Sequence, residues 1–194
     1  MNTYSPEMIR FLNLVPEPIN AVIVCYPRSG STYLGRYIQQ RAMRHLKKSH
    51  SINISSEYVI VGPFRKPEDA ISSFVSMEIY YQKRIDHRYM IDREIANYNR
   101  MLDFLINNAD ILVDYDKIIK NPEESIKSVC DLLGIDVKYH FDYIDDIEDI
   151  PQDKFLKSSK YLESYEQIAK MVSASDLGVS KNLYEKALKL SKTI

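Results

Sequence analysis

The sequence predicts an α/β fold: a P-loop-like three-layer α/β/α arrangement with a central parallel sheet and a helical C-terminus. Short apolar runs, rich in β-branched residues, recur at 21–26, 58–61 and 110–115. Each is followed by a stretch with apolar residues at helical spacing. Strands that alternate with helices in this way build a parallel sheet covered on both faces. The composition agrees: 45% of the 194 residues are hydrophobic and 27% charged, values of a globular chain. One domain is expected over 1–194, with its core at about 20–135 and a helical extension at about 150–194.

The elements follow in order. The run at 21–26 reads as a buried strand, stopped by Pro27, Arg28, Ser29, Gly30 and Ser31. A helix is expected over 32–46, with Leu34, Tyr37, Ile38, Ala42 and Leu46 on one face. The second strand, 58–61, is ended by Gly62. Pro67 suits the first turn of the next helix, where Glu68 and Asp69 favour its positive end. That helix carries Ile71, Phe74, Val75 and Ile79. A third helix is expected at 92–107 and a third strand at 110–115. Asn121 is placed to cap a helix that starts at Pro122 and stops at Gly134, a residue suited to left-handed backbone. Residues 142–149 are acidic and 154–160 basic; two helices, about 161–174 and 181–192, finish the chain.

Charge and cysteine use narrow the class. Lys and Arg number 26 against 27 Asp and Glu, a net of −1. That balance argues against a chain that coats nucleic acid or anionic membrane. Cys25 and Cys130 lie in apolar patterns and read as buried thiols of a reducing compartment. No Cys/His metal spacing occurs, and the apolar run at 21–26 is far too short to span a membrane. The N-terminus has no basic-then-apolar leader pattern, so the expectation is a cytoplasmic protein.

Ligands of open α/β sheets bind beyond the C-terminal ends of the strands. That rule points at 27–32, 64–66 and Tyr115. The segment from Tyr26 to Tyr33 links a strand to a helix through one Gly and several small hydroxyl residues. Such a turn offers a nest of backbone N–H groups that binds phosphate or sulfate. A triphosphate loop reads GxxxxGK followed by Ser or Thr. Aligned on Gly30, its first Gly is Cys25 here, its Lys is Ser31, and Thr32 alone matches. The positive charge, Arg28, sits inside the loop instead. A second segment follows the next strand: Arg65 at its end, then Ser73 about two turns into a helix. A guanidinium and a hydroxyl so placed suit a second phosphate; a capped helix with a surface Arg is the plainer alternative.

The two segments together resemble the nucleotide-binding signatures of sulfotransferases that use 3′-phosphoadenosine 5′-phosphosulfate (PAPS). Tyr26 through Thr32 match the family's Tyr-Pro-Lys/Arg-Ser-Gly-Ser/Thr-Ser/Thr throughout, and Arg65, Pro67, Asp69 and Ser73 match its R-x-P-x-D-x-x-x-S. A looser likeness runs from Val113 through Asn121-Pro122 to Gly134-Ile135. The resemblance implies a sulfuryl transfer to a small-molecule hydroxyl or amine, with adenosine 3′,5′-bisphosphate (PAP) as product and no metal. It implies that Arg28 binds the 5′-phosphate and stabilises the leaving oxygen, with Ser29, Gly30, Ser31 and Thr32 cradling the same group. Arg65 and Ser73 would hold the 3′-phosphate, Tyr33 would face adenine, and Tyr115 would line the nucleotide site.

An acceptor hydroxyl needs a base. Lys47-Lys48-Ser49-His50 is similar to the family's K-T-H segment, which singles out His50. His45, His87 and His140 fall outside that pattern, Glu57 is a minor alternative, and Lys47 or Lys48 could assist on the sulfate. Two departures stand out. The interval from Arg28 to Arg65 is shorter than in family members with bulky acceptors. The glycine-rich segment that closes over the 3′-phosphate has no counterpart; Lys157-Ser-Ser-Lys160 is either its substitute or a solvated turn. Two alternatives stay open: an impaired bisphosphate-binding regulatory module, and a degenerate P-loop nucleotide kinase. The acceptor and the oligomeric state are not legible.

Overall fold

A computed structural model describes residues 17–42, 44–81, 86–135 and 159–191. Eleven elements follow in order: β1 (Glu17–Val24), α1 (Ser31–Ala42), β2 (Arg44–Ser49), β3 (Val59–Phe64), α2 (Pro67–Tyr81), α3 (His87–Asn108), β4 (Ile111–Asp114), α4 (Tyr115–Lys120), α5 (Pro122–Leu132), α6 (Ser159–Ser173) and α7 (Gly178–Ser191). The strands form one four-stranded sheet in the order β2-β1-β3-β4, and every neighbouring pair is parallel. The expected α/β class with a parallel central sheet is what the chain adopts.

Alternation along β1 builds both faces of the core. Val22 and Val24 join Ile60 and Phe64 under α2, α3, α6 and α7, with Tyr98, Leu102, Ile168, Val172 and Ala187. Ala21 and Ile23 join Val61, Ile111 and Val113 on the other face, with Leu34, Ile38, Ile118 and Val129 from α1, α4 and α5. The last two helices are therefore part of the sheet's cover: Ile168, Val172 and Ala187 are fully buried.

Several boundaries differ from the sequence reading. The helix expected to reach residue 46 ends at Ala42, and Arg44–Ser49 is a strand on the free side of β1. Leu46, read as the last residue of a helical stripe, is buried in that edge strand. The strand expected to stop at Gly62 continues through Pro63 to Phe64. Its pairing with β1 ends at Val61, and Gly62, Pro63 and Phe64 pair with β4, so the proline falls where one side of the ladder is finished. Helix α3 begins at His87, five positions earlier than expected, because the Asp86 carboxylate accepts from the Arg88 and Tyr89 N–H groups at 2.9 and 3.1 Å. Asn121 precedes α5 as expected, but its side chain makes no cap bond; its carbonyl accepts from Ser125 instead. Gly134 takes φ +64, as expected of a left-handed stop. The acidic stretch 142–149 lies outside the described residues.

Both thiols are free and buried, as read from the sequence. Burial pushes Cys25 and Cys130 up from 9.0 to about 11. The folded chain thus favours the protonated thiol, and that contribution to stability is lost as pH rises from 9 towards 11. Neither thiol should react with a disulfide reagent at neutral pH until urea unfolds the chain, and the urea midpoint should fall across that alkaline window. A native thiol that reacts at once would contradict this packing.

Candidate functional site

The sheet order brings two loops together. The β1–α1 turn and the β3–α2 turn leave adjacent parallel strands at their C-terminal ends, the crevice where open α/β sheets bind ligands. In the first turn Arg28 takes φ +67 and Gly30 φ +90. Helix α1 then starts at Ser31, and the Leu34 N–H donates to the Gly30 carbonyl at 2.9 Å. The first N–H groups of a helix have no partner within it, and here they face the turn that carries Arg28. An added Cβ on Gly30 would lie 2.8 Å from Cδ2 of Tyr115. The Ser29 Oγ is buried and has no hydrogen-bond partner, which is uncommon for a buried hydroxyl.

The two sequence signatures touch directly. Arg28 Nε donates to Ser73 Oγ at 3.2 Å, and an Arg65 guanidinium N–H donates to the Arg28 carbonyl at 3.4 Å. The Arg65 guanidinium lies over the Tyr115 ring, 4.4 Å from its centre, a cation–π contact. The Tyr98 hydroxyl donates to the Arg65 carbonyl at 2.7 Å and so fixes the end of β3. Arg28, Ser29, Gly30, Arg65, Ser73 and Tyr115 thus form one connected cluster. Ser31 is buried at the start of α1, and Thr32 Oγ1 accepts from Lys48 Nζ at 3.3 Å. Tyr33 sits one position further along α1, its ring 4.7 Å from that of Tyr37 and the two hydroxyls hydrogen-bonded.

Strand β2 supplies what the sequence reading put on a helix and a loop. The ladder from β1 extends past its end, with Cys25 N–H donating to the Ser49 carbonyl at 3.2 Å. His50 follows at once. A carbonyl oxygen accepts only, so His50 Nδ1–H donates to the Cys25 carbonyl, 2.9 Å away. In the neutral ring this arrangement places the proton on Nδ1 and leaves Nε2 as the acceptor nitrogen. Of the two lysines, Lys48 reaches the loop, whereas Lys47 turns away onto the Tyr58 hydroxyl at 3.0 Å. Glu57 is exposed and lies outside this cluster; His45 belongs to β2 rather than a helix, and His87 opens α3. His140 lies outside the described residues.

His50, Tyr26 and Pro27 line a cleft of about 620 Å³ beside the loop, opposite Arg93, Glu94, Asn97 and Arg100 of α3. Glu94 is almost fully buried. Its Oε2 accepts from the Tyr26 hydroxyl at 3.0 Å; its Oε1 accepts from Arg93 Nε at 2.8 Å and Asn97 Nδ2 at 3.2 Å. Burial and the Glu94 charge push the Tyr26 phenol well above its usual range. Tyr80, Tyr81 and Tyr89 do not line this cleft: Tyr81 and Tyr89 are exposed, and Tyr80 meets Tyr81 edge-on.

Sequence reasoning missed two contributors. The Tyr161 hydroxyl, at the start of α6, lies 3.4 Å from Ser73 Oγ. It stands next to the basic stretch read as a candidate phosphate closure, of which 154–158 lie outside the described residues. The second is the α3 wall, whose signal was present as Arg93, Asn97 and Arg100 at helical spacing.

No family model and no curated protein matches the chain. Among solved structures, it is similar to the sulfotransferase domain from the Synechococcus PCC 7002 olefin synthase, at 18% identity and a TM-score of 0.42, over 84% of this chain and 96% of that domain.

Gly30→Ala is expected to lower stability by about 1–3 kcal/mol, from strained backbone and displacement of Tyr115. Gly134→Ala is the control: its φ is also positive, but nothing lies within 4 Å of the added Cβ. Urea unfolding should show the larger loss at Gly30; equal losses would mean that Tyr115 does not press on the loop.

Proposed function

We propose that the protein is a sulfotransferase that moves a sulfuryl group from PAPS to a hydroxyl or amine of a small-molecule acceptor. The observation that carries the reading is the Arg28–Ser73–Arg65 cluster, in which two phosphate-type loops from neighbouring strands share hydrogen bonds. Two phosphates on one nucleotide are what such a pair of loops suits. The residues present fit the donor: the buried Ser29 Oγ lacks a partner, and the nest around Gly30 leaves no room for a side chain.

Arg28, with Ser29, Gly30, Ser31 and Thr32, holds the 5′-phosphate and the charge that develops on it. Lys48, already on Thr32, adds a second cation at that end. Arg65 and Ser73 hold the 3′-phosphate. Tyr115 keeps the Arg65 guanidinium in place, Tyr161 stands behind Ser73, and Tyr33 keeps the adenine-facing role that the resemblance gives it. When bound, the donor supplies an activated sulfuryl group. The acceptor oxygen forms a bond to sulfur as the bond from sulfur to the phosphate oxygen breaks. His50 Nε2 takes the acceptor's proton, its ring held by the Nδ1–H bond to Cys25. In a displacement of this kind, positioning and charge stabilisation supply most of the rate.

Release of PAP from PAPS is measured with a panel of phenolic and aliphatic alcohols. His50→Ala should lower turnover by about 10²- to 10⁴-fold and leave PAP affinity unchanged. Arg28→Ala should weaken both, affinity by about 10- to 100-fold. Full turnover in Arg28→Ala would overturn the assignment. Tight PAP binding with no transfer to any acceptor would leave a binding module instead of an enzyme.

A further inference from the structure

The cleft beside the loop has a charge pattern that bears on the acceptor. Arg93, Asn97 and Arg100 stand at i, i+4 and i+7 of α3, one stripe of the helix, and all three line the cleft. Glu94 is the one carboxylate among its lining residues. It accepts three hydrogen bonds, from Tyr26, Arg93 and Asn97, and the Arg93 charge is paired with it. Arg100 makes no hydrogen bond or ion pair among the described residues, and no acidic side chain of the cleft remains to meet it. Phe74, Met101 and Ile52 give the rest of the lining an apolar character. His50 stands at the loop end, across from the α3 wall.

We infer that the acceptor is a small amphiphile with an anionic group: its hydroxyl faces His50, its apolar part lies on Phe74 and Met101, and its carboxylate or phosphate is bound by Arg100 with Asn97 beside it. This rests on the sulfotransferase reading for the role of the cleft, and it names the acceptor class for it. Arg forms forked, charge-assisted hydrogen bonds with both anions. The buried Glu94 is a positioning residue: it ties the Tyr26 side of the loop to α3 and so holds the anion wall against the donor loop. A neutral alcohol of the same length leaves Arg100 unmatched.

The test is titration of the whole protein, with and without saturating PAP, with ω-hydroxyoctanoate, ω-hydroxyoctyl phosphate and octanediol. The two anions should bind about five- to tenfold more tightly than the diol. Added salt should narrow the difference. Arg100→Met should abolish the preference without changing PAP affinity; Arg100→Lys should restore part of it, and Arg100→Glu should favour the diol. Preference for the phosphate over the carboxylate, or the reverse, decides which anion the wall serves. Equal binding of acid and diol, or no binding of either anion at millimolar concentration, would overturn the inference. PAP binding without an anion preference would sink the cleft assignment alone. An anion preference without PAP binding would sink the donor reading and leave the cleft.

Discussion

The parallel pairing of β1 with β3, register Ala21 to Val59 through Ile23 to Val61, sets the position of everything at the site. Two parallel neighbours end on the same edge of the sheet, so the turns that leave them meet. Arg28 comes from one turn and Arg65 from the other, and Ser73, buried on α2, closes the link. An antiparallel or shifted pairing would send the turns to opposite edges or part them by the length of a strand. β2 depends on the same arrangement. It adds to the other side of β1 and ends at the same edge, which is why His50 and Lys48 arrive beside the loop.

The backbone at the turn is held in a conformation that side chains resist. Arg28 is the one non-glycine residue with positive φ among the described residues. Such a conformation costs of order 1–3 kcal/mol and persists where the surroundings impose it. Here the Arg65 guanidinium bonds the Arg28 carbonyl, Ser73 bonds its side chain, and Tyr115 packs under Gly30. A loop stabilised by three other segments of chain is pre-organised, and the entropy of ordering it is met in folding rather than on binding.

Much of this was legible in the residues because it is local. The strand at 21–26, the turn at Gly30 and the proline-started α2 are written in neighbouring positions. Arg65 and Ser73 were legible as a pair through the spacing of the second signature, with Arg65 just before α2 and Ser73 about two turns into it. What was hidden depends on tertiary choice. Arg44–Ser49 continues the apolar spacing of α1 with Leu46, yet the sheet edge beside β1 claims it as a strand. Gly62 and Pro63 stop isolated strands, and here they sit where β3 has only one partner left. Tyr161 lies far along the chain from Ser73, and nothing in its neighbours announces the contact. Arg93, Asn97 and Arg100 were visible as a helical stripe, but a charged stripe is usually a solvated face; only the fold shows that it fronts a cleft.

On the proposed sulfotransferase reading, the two loops form one site for a nucleotide with phosphates at both the 5′ and 3′ positions. Calorimetric titration with PAP beside adenosine 5′-phosphate tests it most directly, in the natural chain and in Arg65→Ala. The sulfotransferase reading predicts tighter binding of the bisphosphate by about ten- to a hundredfold, with that advantage lost in Arg65→Ala. Equal affinity for the two nucleotides in the natural chain would contradict it, leaving a single phosphate loop after β1 and no donor site spanning β1 and β3.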